Sequence, residues 1–184
     1  RGSPAYIVEA TEIAKASGKP VQLVWTREDD IQQGPFRPAS LMRIEAGVDG
    51  AGKLIAWDAA RAGADISPDT FRGLLPALYP WMGDGFVEGV ANLSEWYFER
   101  FATDEAGTEG LFEDYDHPNT RVTHMTVDHE LPMTFWRSVG HSYTAFAKES
   151  MIDELAQAAG MDEVAFRLQN TQNTPRLNNV ILVA

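Results

Sequence analysis

Apolar residues recur at spacings of three and four near both ends of the chain, which is the pattern of helices that bury one face. This pattern predicts helices from Tyr6 to Ala16, from Ser142 to Ala159 and from Asp162 to Asn170, with a last short helix from Pro175 to Ala184. In the second of these helices, Phe146 is expected to share the buried stripe with Ile152. The chain is therefore rich in helix at its two ends.

Four shorter segments have the composition of β-strands. They run from Val21 to Trp25, Ser40 to Asp49, Lys53 to Ala60 and Arg121 to Asp128. A glycine-containing turn joins the second to the third, which predicts a hairpin, and the first helix with the first strand suggests half of a β-α-β unit. The predicted fold is α+β: one module over residues 1–184, with a mixed sheet and packed helices.

The stretch from Gly63 to Pro118 lacks a clear period. Glycine, proline and aromatic residues are scattered through it, and acidic residues cluster between Asp104 and Asp116. Long irregular stretches of this kind are often functional loops or contact surfaces. We therefore expect an irregular segment here that contacts a partner.

Composition excludes several classes of function. Fifteen basic against 27 acidic residues give a net charge of −12, and such a surface repels nucleic-acid phosphates. The chain has no cysteine, so it can form neither a disulfide nor a cysteine-ligated iron–sulfur cluster. No apolar run approaches the roughly 18 residues needed to cross a bilayer. We expect neither nucleic-acid binding nor a membrane span.

Histidines and carboxylates do not form a catalytic pattern. His124 and His129 lie five residues apart on a predicted strand, so their side chains point to opposite faces and cannot share a metal. The acidic runs Glu28-Asp29-Asp30 and Asp104-Glu105 are adjacent residues on loops, and adjacent residues do not place two carboxylates across a substrate. The sequence predicts no metal ligands and no catalytic residues within this chain.

Arg137 lies in the predicted loop that leads into the helix from Ser142 to Ala159. A guanidinium next to the amides of a helix start can hold a phosphate or a metal-oxo oxygen through charge-assisted hydrogen bonds. The alternative is a structural role, in which Arg137 pairs with the acidic surface. The residue pattern leaves both interpretations open.

Two segments carry a family resemblance. One reads Phe135-Trp136-Arg137-Ser138-Val139-Gly140-His141-Ser142 and continues into Glu149-Ser150-Met151-Ile152-Asp153-Glu154-Leu155-Ala156; the other reads Val24-Trp25-Thr26-Arg27-Glu28-Asp29-Asp30-Ile31. Their order and spacing resemble the molybdopterin-binding large subunit of the xanthine dehydrogenase family, most of all the isoquinoline 1-oxidoreductase β-subunit and related aldehyde-oxidising branches. The resemblance covers the chain except for about Gly63 to Asp116.

The resemblance implies roles for the residues around Arg137. Trp136, Arg137, Ser138 and Gly140 would contact the cofactor, and Phe135 and Val139 would lie in the substrate pocket. The family's loop has glycine at the position of Ser138, where serine restricts the backbone. It has an aromatic ring at the position of Val139 in purine-oxidising members, so purines are not the expected substrates.

The resemblance also implies a larger enzyme of which this chain is a fragment. The expected cofactor is molybdopterin cytosine dinucleotide with molybdenum, and the expected reaction is hydroxylation of an N-heterocycle or oxidation of an aldehyde with water. A small [2Fe-2S] subunit would carry electrons away, and a periplasmic location is expected over a cytoplasmic one. The alternative is a non-catalytic interaction module that docks a partner subunit.

Overall fold

The computed structural model describes residues 5–79, 81–127, 131 and 133–184. They form two compact units, each assembled from separate stretches of chain. The first comprises the described residues of 1–39, 64–104 and 127–136, and the second comprises residues 40–63, 105–126 and 137–184. The prediction of one module over residues 1–184 stays a prediction.

The first unit is helical. Its helices are α1 (Ala5–Ser17), α2 (Arg27–Gln33), α3 (Ser67–Leu78) and α4 (Asp84–Phe101). Thr26 caps α2, because its hydroxyl accepts the Asp29 amide at 3.2 Å while the Asp29 carboxylate accepts the Thr26 amide at 3.0 Å, a reciprocal capping box. The predicted first helix is confirmed, and the acidic residues that follow Trp25 lie in α2.

The predicted strand from Val21 to Trp25 is wrong, and so is the β-α-β half unit built on it. These residues lie in no strand, and Val24 is 75% exposed. The indole Nε1 of Trp25 instead donates to the Glu9 carboxylate of α1 at 2.8 Å. A β-rich composition does not make a strand where no neighbouring strand offers its backbone.

The expected irregular stretch between Gly63 and Pro118 is largely helical, since it contains α3 and α4. Pro76 lies inside α3, where the sequence alone argues for a break. The start of α3 is capped from a distance: the buried Asp104 carboxylate accepts the Ile66 amide at 2.7 Å and the Ser67 amide at 3.0 Å. Arg72 of α3 then pairs with Glu95 of α4 at 2.9 Å. Long-range contacts hold these helices together.

The second unit contains the sheet. Its elements are β1 (Ser40–Val48), β2 (Leu54–Gly63), α5 (Glu105–Thr108), β3 (Thr120–Thr126), α6 (His141–Ala158), α7 (Glu163–Gln169) and α8 (Pro175–Val183). β1 and β2 form the predicted antiparallel hairpin, and β3 pairs with β2 in parallel. The sheet is therefore mixed, and the α+β prediction with packed helices is confirmed.

The core of the second unit lies between one face of the sheet and helices α6 and α7. Its centre is formed by nine buried residues: Leu54, Trp57, Ala59, Leu111, Tyr115, Ile152, Leu155, Ala156 and Phe166. Alternate residues of β1 pack against it, as the two-residue period of a strand requires. Phe146, expected in the buried stripe of α6, is 77% exposed, so that detail of the prediction is wrong.

Buried Asn170 joins the end of α7 to the hairpin. Its Oδ1 accepts the Leu54 amide at 2.8 Å, and its Nδ2 donates to the Gly52 and Phe166 carbonyls. One side chain thus satisfies three backbone groups, of which the Leu54 amide begins β2. No helix among the described residues is long and apolar enough to cross a membrane.

Candidate functional site

Four of the six predicted site residues form one turn of the second unit, directly before α6. Arg137 and Ser138 are exposed, Val139 is half-buried and Gly140 is buried. Gly140 is the N-cap of α6, and its carbonyl accepts the Tyr143 and Thr144 amides, each at 3.1 Å. We call residues 137–140 the Arg137 turn. It places an exposed guanidinium at the start of a helix, as the sequence predicts.

The other two predicted site residues, Phe135 and Trp136, belong to the first unit. There, Trp136 Nε1 donates to the Pro35 carbonyl at 3.1 Å. The Thr134 amide donates to the Phe36 carbonyl at 3.2 Å. The indole N–H of Trp136 is therefore already used in a hydrogen bond within the protein. Only its partly exposed ring is available to contact a ligand. Sequence reasoning missed this support from Pro35 and Phe36, because no local pattern signals it.

The backbone of the Arg137 turn is left-handed at two consecutive residues. Ser138 has φ 70° and Val139 has φ 40°, a region that L-residues rarely occupy and that β-branched residues strongly disfavour. Strain of this kind persists where the surroundings impose it, and it concentrates at functional sites. The family's glycine at the position of Ser138 would suit this conformation, so serine there imposes the restriction expected from the sequence.

The segment 105–110 packs against the Arg137 turn and the first turn of α6. A methyl group at Gly140 would lie 2.6 Å from the Ala106 carbonyl oxygen and 3.1 Å from that of Glu109, so only glycine allows this approach. The Thr144 hydroxyl, fully buried on α6, lies 2.6 Å from the Glu109 carbonyl oxygen. The Tyr143 hydroxyl donates to the Gly107 carbonyl at 3.1 Å. The first turn of α6 is thereby bonded to this segment.

Gly110 completes that support. Gly110 has a φ of 89°, and a Cβ there would lie 2.5 Å from His141 Nδ1 and 2.6 Å from Thr144 Oγ1. Any other residue at this position would force these side chains to move. The His141 Nε2 lies 3.5 Å from the Glu109 carboxylate. Sequence reasoning placed all of 105–110 in the irregular stretch and missed its role. Its two glycines, three residues apart, were the available signal.

The buried cation Arg61 packs against segment 105–110 at Gly107. The Arg61 side chain is 1% exposed, donates through Nε to Ser40 Oγ at 3.0 Å, and lies 5.2 Å from the Tyr143 ring. A Cβ at Gly107 would stand 2.5 Å from its guanidinium. Guanidinium groups tolerate such sites by stacking on aromatic faces. Arg61 therefore fills the space between β2 and the start of α6.

Histidine does not build a metal site in the part of the chain that the structure describes. His124 Nδ1 lies 3.3 Å from the Arg61 guanidinium, a cationic neighbour that opposes metal binding. His129 lies outside the described residues. No group of three or more histidine, aspartate or glutamate side chains could hold a metal ion within the described ranges.

Ion pairs fix the remainder of α6. Lys148, 4% exposed, donates to the Asp114 carboxylate at 2.8 Å. The Tyr115 hydroxyl donates to Glu149 at 2.8 Å, and burial together with the Glu149 charge raises the pKa of Tyr115 well above its usual range. Arg167 of α7 bonds Glu149 and Asp153. The helix that carries the Arg137 turn is held along its length.

Residues 92–171 match the model of the molybdopterin cofactor-binding domain. The match contains the Arg137 turn and all of α6, and it confirms the resemblance to molybdopterin-binding subunits. It also begins inside the stretch from Gly63 to Asp116, which the sequence resemblance left out.

Curated relatives match nearly the whole chain. The β-subunit of isoquinoline 1-oxidoreductase from Brevundimonas diminuta is 30% identical over 177 residues, which are 96% of this chain and 20% of the relative. One of the subunits of nicotinate dehydrogenase from Pseudomonas putida is 30% identical over 173 residues, 94% of this chain and 13% of the relative. The chain thus spans a small part of the curated relatives that it matches.

The fold also occurs in a solved enzyme. The aldehyde oxidoreductase of Desulfovibrio gigas superposes with a TM-score of 0.56 at 20% identity, covering 86% of this chain and 15% of that one. At this identity the likeness concerns the fold. It supports the α+β assignment independently of sequence.

The groups of the Arg137 turn suit an anionic cofactor. Molybdopterin carries phosphate, and phosphate is bound by guanidinium groups and by helix starts. Arg137 is an exposed cation in a chain of net charge −12, and α6 is 18 residues long, so its first turn carries a positive partial charge. The donors present fit the cofactor that the family binds.

Proposed function

We propose that this chain forms part of the molybdopterin-binding site of a molybdenum-dependent oxidoreductase. The observation that carries the proposal is the family match over residues 92–171, which contains the exposed Arg137 directly before α6. The donor set of the turn fits an anionic group, and both curated relatives are named as oxidoreductase or dehydrogenase subunits.

Each residue of the turn has a distinct part in this proposal. The Arg137 guanidinium holds an anionic oxygen of the cofactor, since it is an exposed cation. Ser138 and Val139 form the left-handed backbone that leads from Arg137 into α6. Gly140 lets the turn approach segment 105–110. When bound, molybdopterin with its metal supplies the oxidation–reduction chemistry, and this chain supplies binding and orientation.

The proposed substrate is an N-heterocycle, or else an aldehyde, oxidised with oxygen taken from water. The names of two curated relatives, the isoquinoline and nicotinate enzymes, support the N-heterocycle, and those of others support the aldehyde. Phe135 and Val139 are the proposed substrate-pocket residues. Val139 has no aromatic ring to stack on a purine, so purines are not expected.

The proposed enzyme has further parts. Its cofactor is the cytosine dinucleotide form of molybdopterin, and its electrons leave through a small [2Fe-2S] subunit, as the family resemblance implies; the absence of cysteine from this chain agrees with that arrangement. We propose the periplasm as its location. The non-catalytic interaction module is not favoured, because the matched family binds a cofactor.

Metal and pterin analysis tests the proposal. The complete subunit is expressed with its iron–sulfur partner in a host that makes the cofactor, and molybdenum and released nucleotide are measured per subunit. We expect about one molybdenum per subunit and release of cytidine nucleotide. A folded complex without molybdenum would refute the proposal and favour the interaction module.

The variant Arg137→Ala tests the assigned residue. Loss of a charge-assisted contact is expected to lower cofactor occupancy by about tenfold or more, since such hydrogen bonds contribute about 1.5 to 3 kcal/mol. Arg43→Ala, which removes an exposed arginine of β1 paired with Glu45, is the matched control and should keep wild-type occupancy. Wild-type molybdenum and turnover in Arg137→Ala would remove Arg137 from the site.

A further inference from the structure

Two hydroxyls attach the first turn of α6 to segment 105–110, and the fully buried one belongs to Thr144. Thr144 Oγ1 lies 2.6 Å from the Glu109 carbonyl oxygen and 3.0 Å from that of Gly140, and Thr144 is 0% exposed. The single hydroxyl proton faces two acceptors, and the shorter distance directs it to Glu109. This bond joins α6 to a different part of the chain.

The same hydroxyl lies next to two glycines that permit the close packing here, Gly140 and Gly110. Gly140, whose carbonyl it touches, ends the Arg137 turn and leaves no room for a Cβ against Ala106 and Glu109. Gly110 leaves no room for one against Thr144 Oγ1. A movement of Thr144 relative to Glu109 would therefore shift the residues that hold the turn in its left-handed conformation.

We propose that Thr144 is a positioning residue for the anionic ligand of the Arg137 turn. Its hydroxyl fixes the start of α6 against Glu109 and thereby keeps Ser138 and Val139 left-handed and Arg137 oriented for a phosphate-bearing cofactor. This inference rests on the proposed function. In this role Thr144 does not contact the cofactor. It affects cofactor binding through the backbone of the Arg137 turn.

Isosteric substitution separates this role from ordinary burial. Thr144→Val keeps the shape of the side chain and removes the hydroxyl, and Thr144→Ser retains the hydroxyl. The matched control is Thr171→Val: Thr171 is also 0% exposed in the second unit, and its hydroxyl donates to the Arg167 carbonyl at 2.8 Å. Both valine variants lose one buried hydroxyl-to-carbonyl bond.

Two readouts are taken on the complete subunit with its iron–sulfur partner. The first is hydrogen–deuterium exchange of the peptide spanning residues 136–145 in cofactor-free protein, and the second is molybdopterin occupancy. We expect Thr144→Val to speed exchange there and to lower occupancy, each by about five- to tenfold, the factor expected for one net hydrogen bond. Thr144→Ser should restore both, and Thr171→Val should change neither.

The outcomes distinguish the inference from the proposed function. Equal exchange and occupancy in Thr144→Val and Thr171→Val would overturn the positioning role while the cofactor assignment stands. A wild-type protein that takes up no molybdopterin would overturn both. If Thr144→Val does not fold, Thr144→Ala replaces it and is compared with Thr144→Ser, because alanine also removes the hydroxyl that donates to the Glu109 carbonyl. Unchanged exchange and occupancy in that variant would likewise overturn the inference.

Discussion

Replacing Ser138 with glycine should stabilise the protein, although most glycine substitutions do the opposite. Ser138 has φ 70°, a conformation in which an L-residue with a Cβ pays about 1 to 2 kcal/mol. Its side chain is exposed, so little packing is lost with it. Glycine occupies this conformation without steric cost.

The expected gain follows from two opposing terms. Relief of the left-handed backbone contributes about 1 to 2 kcal/mol. Glycine also makes the unfolded chain more flexible, which costs about 0.5 to 1 kcal/mol. The net expectation for Ser138→Gly is about 0.5 to 1 kcal/mol in favour of the folded state, or a rise of about 1 to 4 °C in Tm for a chain of this length.

Denaturant unfolding followed by circular dichroism measures this difference. Ser138→Ala is the control, because alanine removes the hydroxyl but keeps the Cβ and so gains no relief. We expect the order of stability Ser138→Gly, then wild type, then Ser138→Ala, with the two variants about 1 kcal/mol apart. A glycine variant no more stable than the alanine variant would show that residue 138 is not left-handed, and the account of the turn would fall.

Three further outcomes are expected. Asn170→Ala should destabilise by about 3 kcal/mol in equilibrium unfolding, because it strands the buried Leu54 amide; a loss below about 1 kcal/mol would contradict that bond. Asp104→Ala should cost about 1 to 2 kcal/mol by removing the cap of α3 at Ile66, visible as lost helix signal on heating, whereas an unchanged melt would exclude the cap. Burial lowers the pKa of His117 below 6.5, so the unfolded chain binds its proton more readily. The contribution of neutral His117 to the free energy of unfolding is therefore complete above pH 6.5 and is lost as pH falls through the folded pKa. His117→Gln should flatten this pH dependence of stability, and a pH profile identical to that of the wild type would refute the role of His117.

Periodicity and short motifs were sufficient for elements whose stabilising contacts are local. The hairpin of β1 and β2 follows from alternating strands joined by Gly50-Ala51-Gly52. α7 is capped by Asp162, the residue before it, whose carboxylate accepts the Val164 and Ala165 amides. The residues around Arg137 were enough to indicate the cofactor family and the turn that carries the guanidinium. Such signals are read within a few residues of the element that they specify.

Distant partners decided the rest. α3 contains Pro76 and is capped by Asp104, far along the chain. The residues next to α3 in sequence therefore do not predict this helix. Val21 to Trp25 has strand composition but no strand to pair with, because pairing depends on tertiary placement. Ser138 and Val139 are left-handed in a turn that lies where α6 packs against segment 105–110. Thr144 bonds that segment only in the folded chain. A sequence lists the groups of a binding site, whereas the geometry that they adopt depends on contacts between residues far apart in the chain.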